Sequence, residues 1–104
     1  MYARNVSIHL KPNSVSEFTQ TLEKDILPLL RKQSGFKDEL TFLAEGGRDA
    51  VAISLWDRKE SAEQYSRDTY PQVLKGLMAL VEGTPEVRAY EVGNSTFHSI
   101  ASRV

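Results

Sequence analysis

Two short stretches of this chain alternate between apolar and small or polar residues, and they constrain its fold more than any other feature. In residues 3–11, Val6, Ile8 and Leu10 share one side, and Asn5, Ser7, His9 and Lys11 the other. In residues 50–56, Val51, Ile53 and Leu55 share one side, and Ala50, Ala52, Ser54 and Trp56 the other. Successive side chains of a strand point to opposite faces, so this period of two predicts two strands, each with a large apolar face and a small face.

The segments around them complete a pattern. Pro12-Asn13 ends the first strand, and Ser14 with Glu17 three residues later is a capping-box signature opening a helix. Val15, Phe18, Leu22, Ile26 and Leu29 then recur at helical spacing. Pro28 lacks an amide donor and predicts a kink or a break with a short terminal turn, and Ser34-Gly35 stops the helix. Residues 36–44 predict a second strand, with Leu40 and Phe42 on one face and Thr41 and Leu43 on the other. The glycines of residues 45–49 suit a hairpin into the third strand. Asp57 and Glu60 read as a second capping box, opening a helix that runs through about Arg67. Tyr70-Pro71 restarts it; Val73, Leu74, Leu77, Leu80 and Val81 line its inner face and Gly83 ends it. Residues 87–92 predict a fourth strand, and residues 96–100 a short extra strand or an exchanged tail. The order β-α-β-β-α-β predicts an α+β, ferredoxin-like fold with a four-stranded antiparallel sheet and helices on one side.

The two strand faces admit two arrangements. In one, the helices cover the Val/Ile/Leu face and the small face meets water, which leaves Ala50, Ala52 and Trp56 exposed in a row. In the other, the helices cover the small face, where a hollow between large helix residues and small sheet residues would form a ligand pocket. The Val/Ile/Leu face then needs another cover, and a second copy of the sheet would supply it as a two-fold dimer.

Composition removes other chemistry. With 104 residues the chain has room for one domain, expected to span residues 1–104. Thirteen basic against fourteen acidic residues leave no basic excess to hold nucleic acid. The centre of the third strand offers Val, Ala, Ile and Ser, not the aromatics of an RNA-binding sheet. The absence of cysteine excludes thiolate metal sites, disulfides and a cysteine nucleophile. Two histidines cannot form a three-histidine metal site, so no metal or cofactor is expected. No apolar run approaches the roughly 18 residues of a membrane span, and the polar N-terminus lacks the apolar stretch of a signal peptide, so a cytoplasmic location is expected. No phosphate loop, nucleophile motif or paired carboxylates support kinase or hydrolase chemistry.

The junction Ile53-Ser54-Leu55-Trp56-Asp57-Arg58-Lys59-Glu60-Ser61-Ala62-Glu63-Gln64-Tyr65 resembles the strand-to-helix junction of the antibiotic biosynthesis monooxygenase superfamily, the dimeric α/β-barrel proteins. Pro28-Leu29-Leu30 with Ser34-Gly35-Phe36, and the closing Pro85, Val87 and Tyr90, are similar to the first helix and last strand of that family. The resemblance covers nearly the whole chain and implies a dimeric barrel, with the tail of residues 93–104 placed to contact the partner. It also implies a role for Trp56 lining the cleft between sheet and helices, the alternative being a core aromatic at the sheet edge. Asn5 stands where members that oxidise aromatics or haem carry an Asn, able to hydrogen-bond a substrate oxygen or O2; a structural Asn is the alternative. The segment 72–80 lacks the histidine of the haem-degrading members, which argues against haem degradation.

The cofactor-independent branch needs a dry pocket, a group that stabilises a substrate phenolate, and room for O2. By residue type the candidates are Asn5 and Trp56 as catalytic groups, with His9, Ser54, Tyr65, Tyr70 and Arg88 as substrate-binding groups. Arg88 and Tyr90 share a face of the last strand, so Arg88 could face an oxyanion or lie at a rim or dimer interface. His9 and His98 suit surface or capping roles as well as binding. The expected activity is oxidation of a small aromatic, quinol-like substrate. The alternative is a non-catalytic or stress-related dimer that binds a small hydrophobic ligand.

Overall fold

The computed structural model describes residues 1–97. The expected extra strand at residues 96–100, most of the tail and His98 therefore lie largely or wholly outside the described residues. The elements are β1 (Tyr2–His9), α1 (Val15–Thr21), a π-helical turn (Leu22–Ile26), α2 (Leu27–Arg31), β2 (Phe36–Leu43), β3 (Asp49–Trp56), α3 (Lys59–Asp68), α4 (Tyr70–Leu77) and β4 (Glu86–Glu91). The strands form one antiparallel sheet in the order β2-β3-β1-β4. The helices pack on one side of it, and the fold is the ferredoxin-like one.

Strand register changes the expected grouping of the two faces. Across the β1–β3 pair, Val6 lies opposite Ala52 and Ile8 opposite Ala50. The large face of β1 therefore shares a side with the small face of β3, and both arrangements drawn from the sequence are half right. The helix side carries Arg4, Val6 and Ile8 from β1 and Ala50, Ala52, Ser54 and Trp56 from β3. The open side carries Ala3, Asn5, Ser7 and His9 with Val51, Ile53 and Leu55. Period-two patterning sets which residues of one strand go together, but a one-residue register shift decides which neighbours they join.

A bulge between Phe36 and Asp38 does the same for β2. The extra residue there lets both Phe36 and Glu39 face the helices, with Leu40 and Phe42 on the open side. The core lies under the helices. Leu10, Phe18 and Trp56 are fully buried in it, joined by Ile26, Leu30, Ala62, Val73, Leu77, Leu80 and Val81. Burying a side chain the size of Phe18 contributes about 2–3 kcal/mol.

Three local expectations are corrected. Ser14 makes no side-chain cap; its hydroxyl instead points back to the Pro12 carbonyl at 3.5 Å. Arg58 occupies the N-cap of α3, and the Asp57 carboxylate bonds Ser61 instead, which holds it below the usual carboxylate range. α4 ends at Leu77; beyond it, Val81 bridges to Leu10, closing the end of β1. The predicted disruption at Pro28 is present. The helix widens into the π-helical turn just upstream, and Pro28 sits in the first turn of α2, where its missing N–H is tolerated.

Gly35 holds the junctions together. Its φ of +82° is one that L side chains rarely adopt, and a Cβ there would lie 2.3 Å from Asp57 Oδ1 and 2.4 Å from Ser61 Oγ. Its carbonyl accepts the Asp57 amide at 2.8 Å, tying the start of β2 to the β3–α3 turn.

Candidate functional site

A cavity of about 50 Å³ lies between the helix side of the sheet and the helices. Val6, Ile8 and Ala52 form its floor, and Phe18, Leu22, Ile26, Leu30, Val73 and Leu77 its apolar walls. The π-helical turn supplies both Leu22 and Ile26. At one end the lining turns polar, with Arg4, Ser54, Glu39, Tyr65 and Tyr70.

Arg4 is the most unusual group in it. The residue is only 4% exposed. Its guanidinium carbon lies 4.4 Å from the centre of the Tyr70 ring and 5.1 Å from that of Tyr65, within cation–π range. It also donates a hydrogen bond to the Tyr70 side chain. Among the described residues no carboxylate lies within ion-pair distance of it. Burial lowers its pKa, partly opposed by the two tyrosines. Buried arginines ordinarily have a carboxylate partner, so this site has unused capacity for an anion.

The tyrosines respond in the opposite direction. Burial pushes the Tyr65 hydroxyl up to about 12 and raises that of Tyr70, with Arg4 opposing both shifts. Both are therefore neutral hydrogen-bonding groups at physiological pH. Burial also raises the Glu39 carboxyl, and a hydrogen bond with Thr41 partly offsets this.

Trp56 stands behind this end of the cavity. It is fully buried, and its indole N–H donates to Ser54 Oγ at 2.9 Å. Its ring lies 5.0 Å from Tyr65 and 5.6 Å from Phe36, and Tyr65 lies 6.2 Å from Tyr70. This chain of rings fixes Tyr65 and Ser54 from below. Of the two roles expected for Trp56, the structure has the core aromatic, outside the cavity lining.

The residues expected at a site thus separate. Ser54, Tyr65 and Tyr70 come together at the polar end of the cavity. Asn5, His9 and Arg88 do not join them. Asn5 and Arg88 are register partners on the open side of the sheet, opposite in direction to the cavity. His9 sits at the exposed end of β1, 2.6 Å from Asp49. Arg88 bonds Glu86 at 2.7 Å. Arg4 and Glu39 were missed. Arg4 was legible as a charged residue in step with Val6 and Ile8, whereas Glu39 was hidden by the β2 bulge. Among the described residues no cluster of three or more His, Asp or Glu side chains is placed to hold a metal ion, and no helix is long and apolar enough to cross a membrane.

No family model and no curated protein matches the sequence. The fold, by contrast, is shared with many solved structures. A monooxygenase from Streptomyces coelicolor, ActVA-Orf6, solved with nanaomycin D, superposes with a TM-score of 0.75 at 12% identity, over 88% of this chain and 86% of that one. SnoaB, a cofactor-independent oxygenase from Streptomyces nogalater, gives 0.74 at 14% identity, over 91% and 95%. A candidate antibiotic biosynthesis monooxygenase from Deinococcus radiodurans gives 0.74 at 17%, over 91% and 95%. Another, from Nitrosomonas europaea, is a protein of unknown function, with a TM-score of 0.73 at 18% identity. At these identities the likeness establishes the fold, the one expected from the sequence.

Proposed function

We propose that this protein is a cofactor-independent monooxygenase that oxidises a small aromatic, quinol-like substrate in the cavity between sheet and helices. The observation that carries the reading is the buried Arg4 guanidinium, without a carboxylate partner among the described residues, at the polar end of an apolar cavity. Such a group favours the ionised form of a bound phenol, and the low-dielectric surroundings strengthen the attraction. The phenolate is the electron-rich species that reduces O2. For a phenol with a free para C–H the balance closes without an outside reductant: the phenol and one O2 give a quinone and one water. One oxygen atom enters the ring, and the other leaves as water with the two hydrogens.

The chain's own residues would divide the work. Arg4 holds the phenolate oxygen, with Tyr65 and Tyr70 as neutral donors beside it. Ser54, fixed by Trp56, offers a further hydroxyl. Phe18, Ile26, Leu30, Val73 and Leu77 exclude water from the ring. A single ring needs on the order of 150 Å³, so binding requires the half-buried Leu22, Glu39 and Tyr70 at the cavity edge to move aside. Oxygen uptake with a panel of phenols and quinols tests the reading, with Arg4→Met expected to abolish it. The displacement of Asn5 from the cavity favours the second reading, a binding protein without catalysis; saturable binding of the same phenols with no uptake would establish it.

The reading includes a two-fold homodimer through the open side of the sheet. Leu40, Phe42 and Tyr90 are 40%, 55% and 49% exposed there, an apolar surface suited to a second copy. Light scattering should give twice the chain mass, and Phe42→Glu should return the monomer. A wild-type monomer at micromolar concentration would refute this part.

A further inference from the structure

Arg4, Ser54 and Glu39 occupy one rung of the sheet on adjacent strands, Arg4 opposite Ser54 and Ser54 opposite Glu39. All three line the cavity. With strands about 4.8 Å apart, the Arg4 and Glu39 backbones are separated by roughly 10 Å. The two side chains do not form an ion pair, so the small Ser54 leaves a gap between a cation and a carboxyl on one wall.

We propose that this pocket selects aromatic monoanions, holding the acidic oxygens on Arg4 and using Glu39 to exclude a second negative charge. The inference rests on the pocket assigned above, and it holds whether or not oxygen reacts there. A carboxylate or an acidic enol oxygen matches the planar guanidinium fork and supplies a counter-charge that no carboxylate among the described residues provides. The ring would lie across Ser54, between the strands that carry Arg4 and Glu39, with Tyr65 and Tyr70 beside it. Its far edge would face Glu39 across the rung, where a hydroxyl finds an acceptor and a second carboxylate meets like charge in a low dielectric. The half-buried position of Glu39 at the cavity edge places this filter where ligands enter.

The test is calorimetric titration of the full chain with benzoate, 4-hydroxybenzoate, terephthalate and benzyl alcohol. Benzoate and 4-hydroxybenzoate should bind, with benzyl alcohol and terephthalate each at least about tenfold weaker. Arg4→Met should erase the preference for benzoate over benzyl alcohol, and Arg4→Lys should retain part of it, which separates lost charge from lost fold. Glu39→Gln should narrow the benzoate-to-terephthalate affinity ratio from at least about tenfold to within about threefold. The proposal is overturned if benzyl alcohol or terephthalate binds as tightly as benzoate, or if none of the four binds. Anion selectivity without oxygen uptake would sink the oxygenase reading alone. Uptake with neutral phenols and no anion preference would sink this proposal alone.

Discussion

Replacing Arg4 by Met should cost the protein little stability. The guanidinium makes two cation–π contacts, each about 1–2 kcal/mol when desolvated, and one charged hydrogen bond to Tyr70 of about 1.5–3 kcal/mol. Against these stands a desolvation cost of several kcal/mol for a buried cation with no anionic partner among the described residues. Met also adds about 2 kcal/mol of apolar burial. The opposing contributions nearly cancel, so the net change should lie within about 2 kcal/mol of zero, in either direction. An arginine kept for structure behaves differently, because breaking a buried ion pair costs about 3–5 kcal/mol. Urea unfolding followed by far-UV circular dichroism, with the slope compared between variants, measures the difference. A loss above about 3 kcal/mol with an unchanged slope would show that Arg4 is a structural element, and would remove the reason for assigning it to a ligand.

Three further outcomes follow from the geometry. Gly35→Ala should destabilise by about 2–4 kcal/mol, combining left-handed strain with displacement of Asp57 and Ser61; a Tm within 2 °C of wild type, by about the ordinary scaling, would contradict the junction described. Trp56→Phe should cost about 1–3 kcal/mol from a lost hydrogen bond and a small cavity, and a neutral substitution would mean that Trp56 does not support Ser54. Glu39→Gln tests the raised carboxyl. Because the folded pKa lies above the ordinary 4.5, the unfolded chain gives up this proton first as pH rises, so wild-type stability falls from about that pH upward to the folded value. The Tm gain of Glu39→Gln over wild type should therefore be larger at pH 7 than at pH 4, and a gain independent of pH would show that Glu39 is not held against its charge.

Much of the fold was legible because strand and helix periodicities are local. Val6, Ile8 and Leu10 announce β1, and Tyr70-Pro71 announces the start of α4. The pairing of faces was not legible, because it depends on a register between β1 and β3 that no local pattern records. Val6 beside Ala52, rather than beside Val51, is a tertiary outcome. The β2 bulge compounds this, since one extra residue reverses every side chain before it relative to those after it. Those two register effects account for most of the site that was misread. Asn5 lies on the side opposite to the one that its grouping with Ala52 and Ser54 implied, and Glu39 was overlooked. Arg4 needed no register at all, because its parity with Val6 and Ile8 already marked a charge within a buried stripe.

Oxygen consumption is the measurement that bears most directly on the proposed chemistry. Chelator-treated protein, given phenols with a free para C–H and no added flavin, haem or metal, should consume one O2 for each quinone formed, and Arg4→Met should consume none. Consumption no faster than the buffer blank across the panel, or consumption that appears only when a metal or flavin is added, would contradict it.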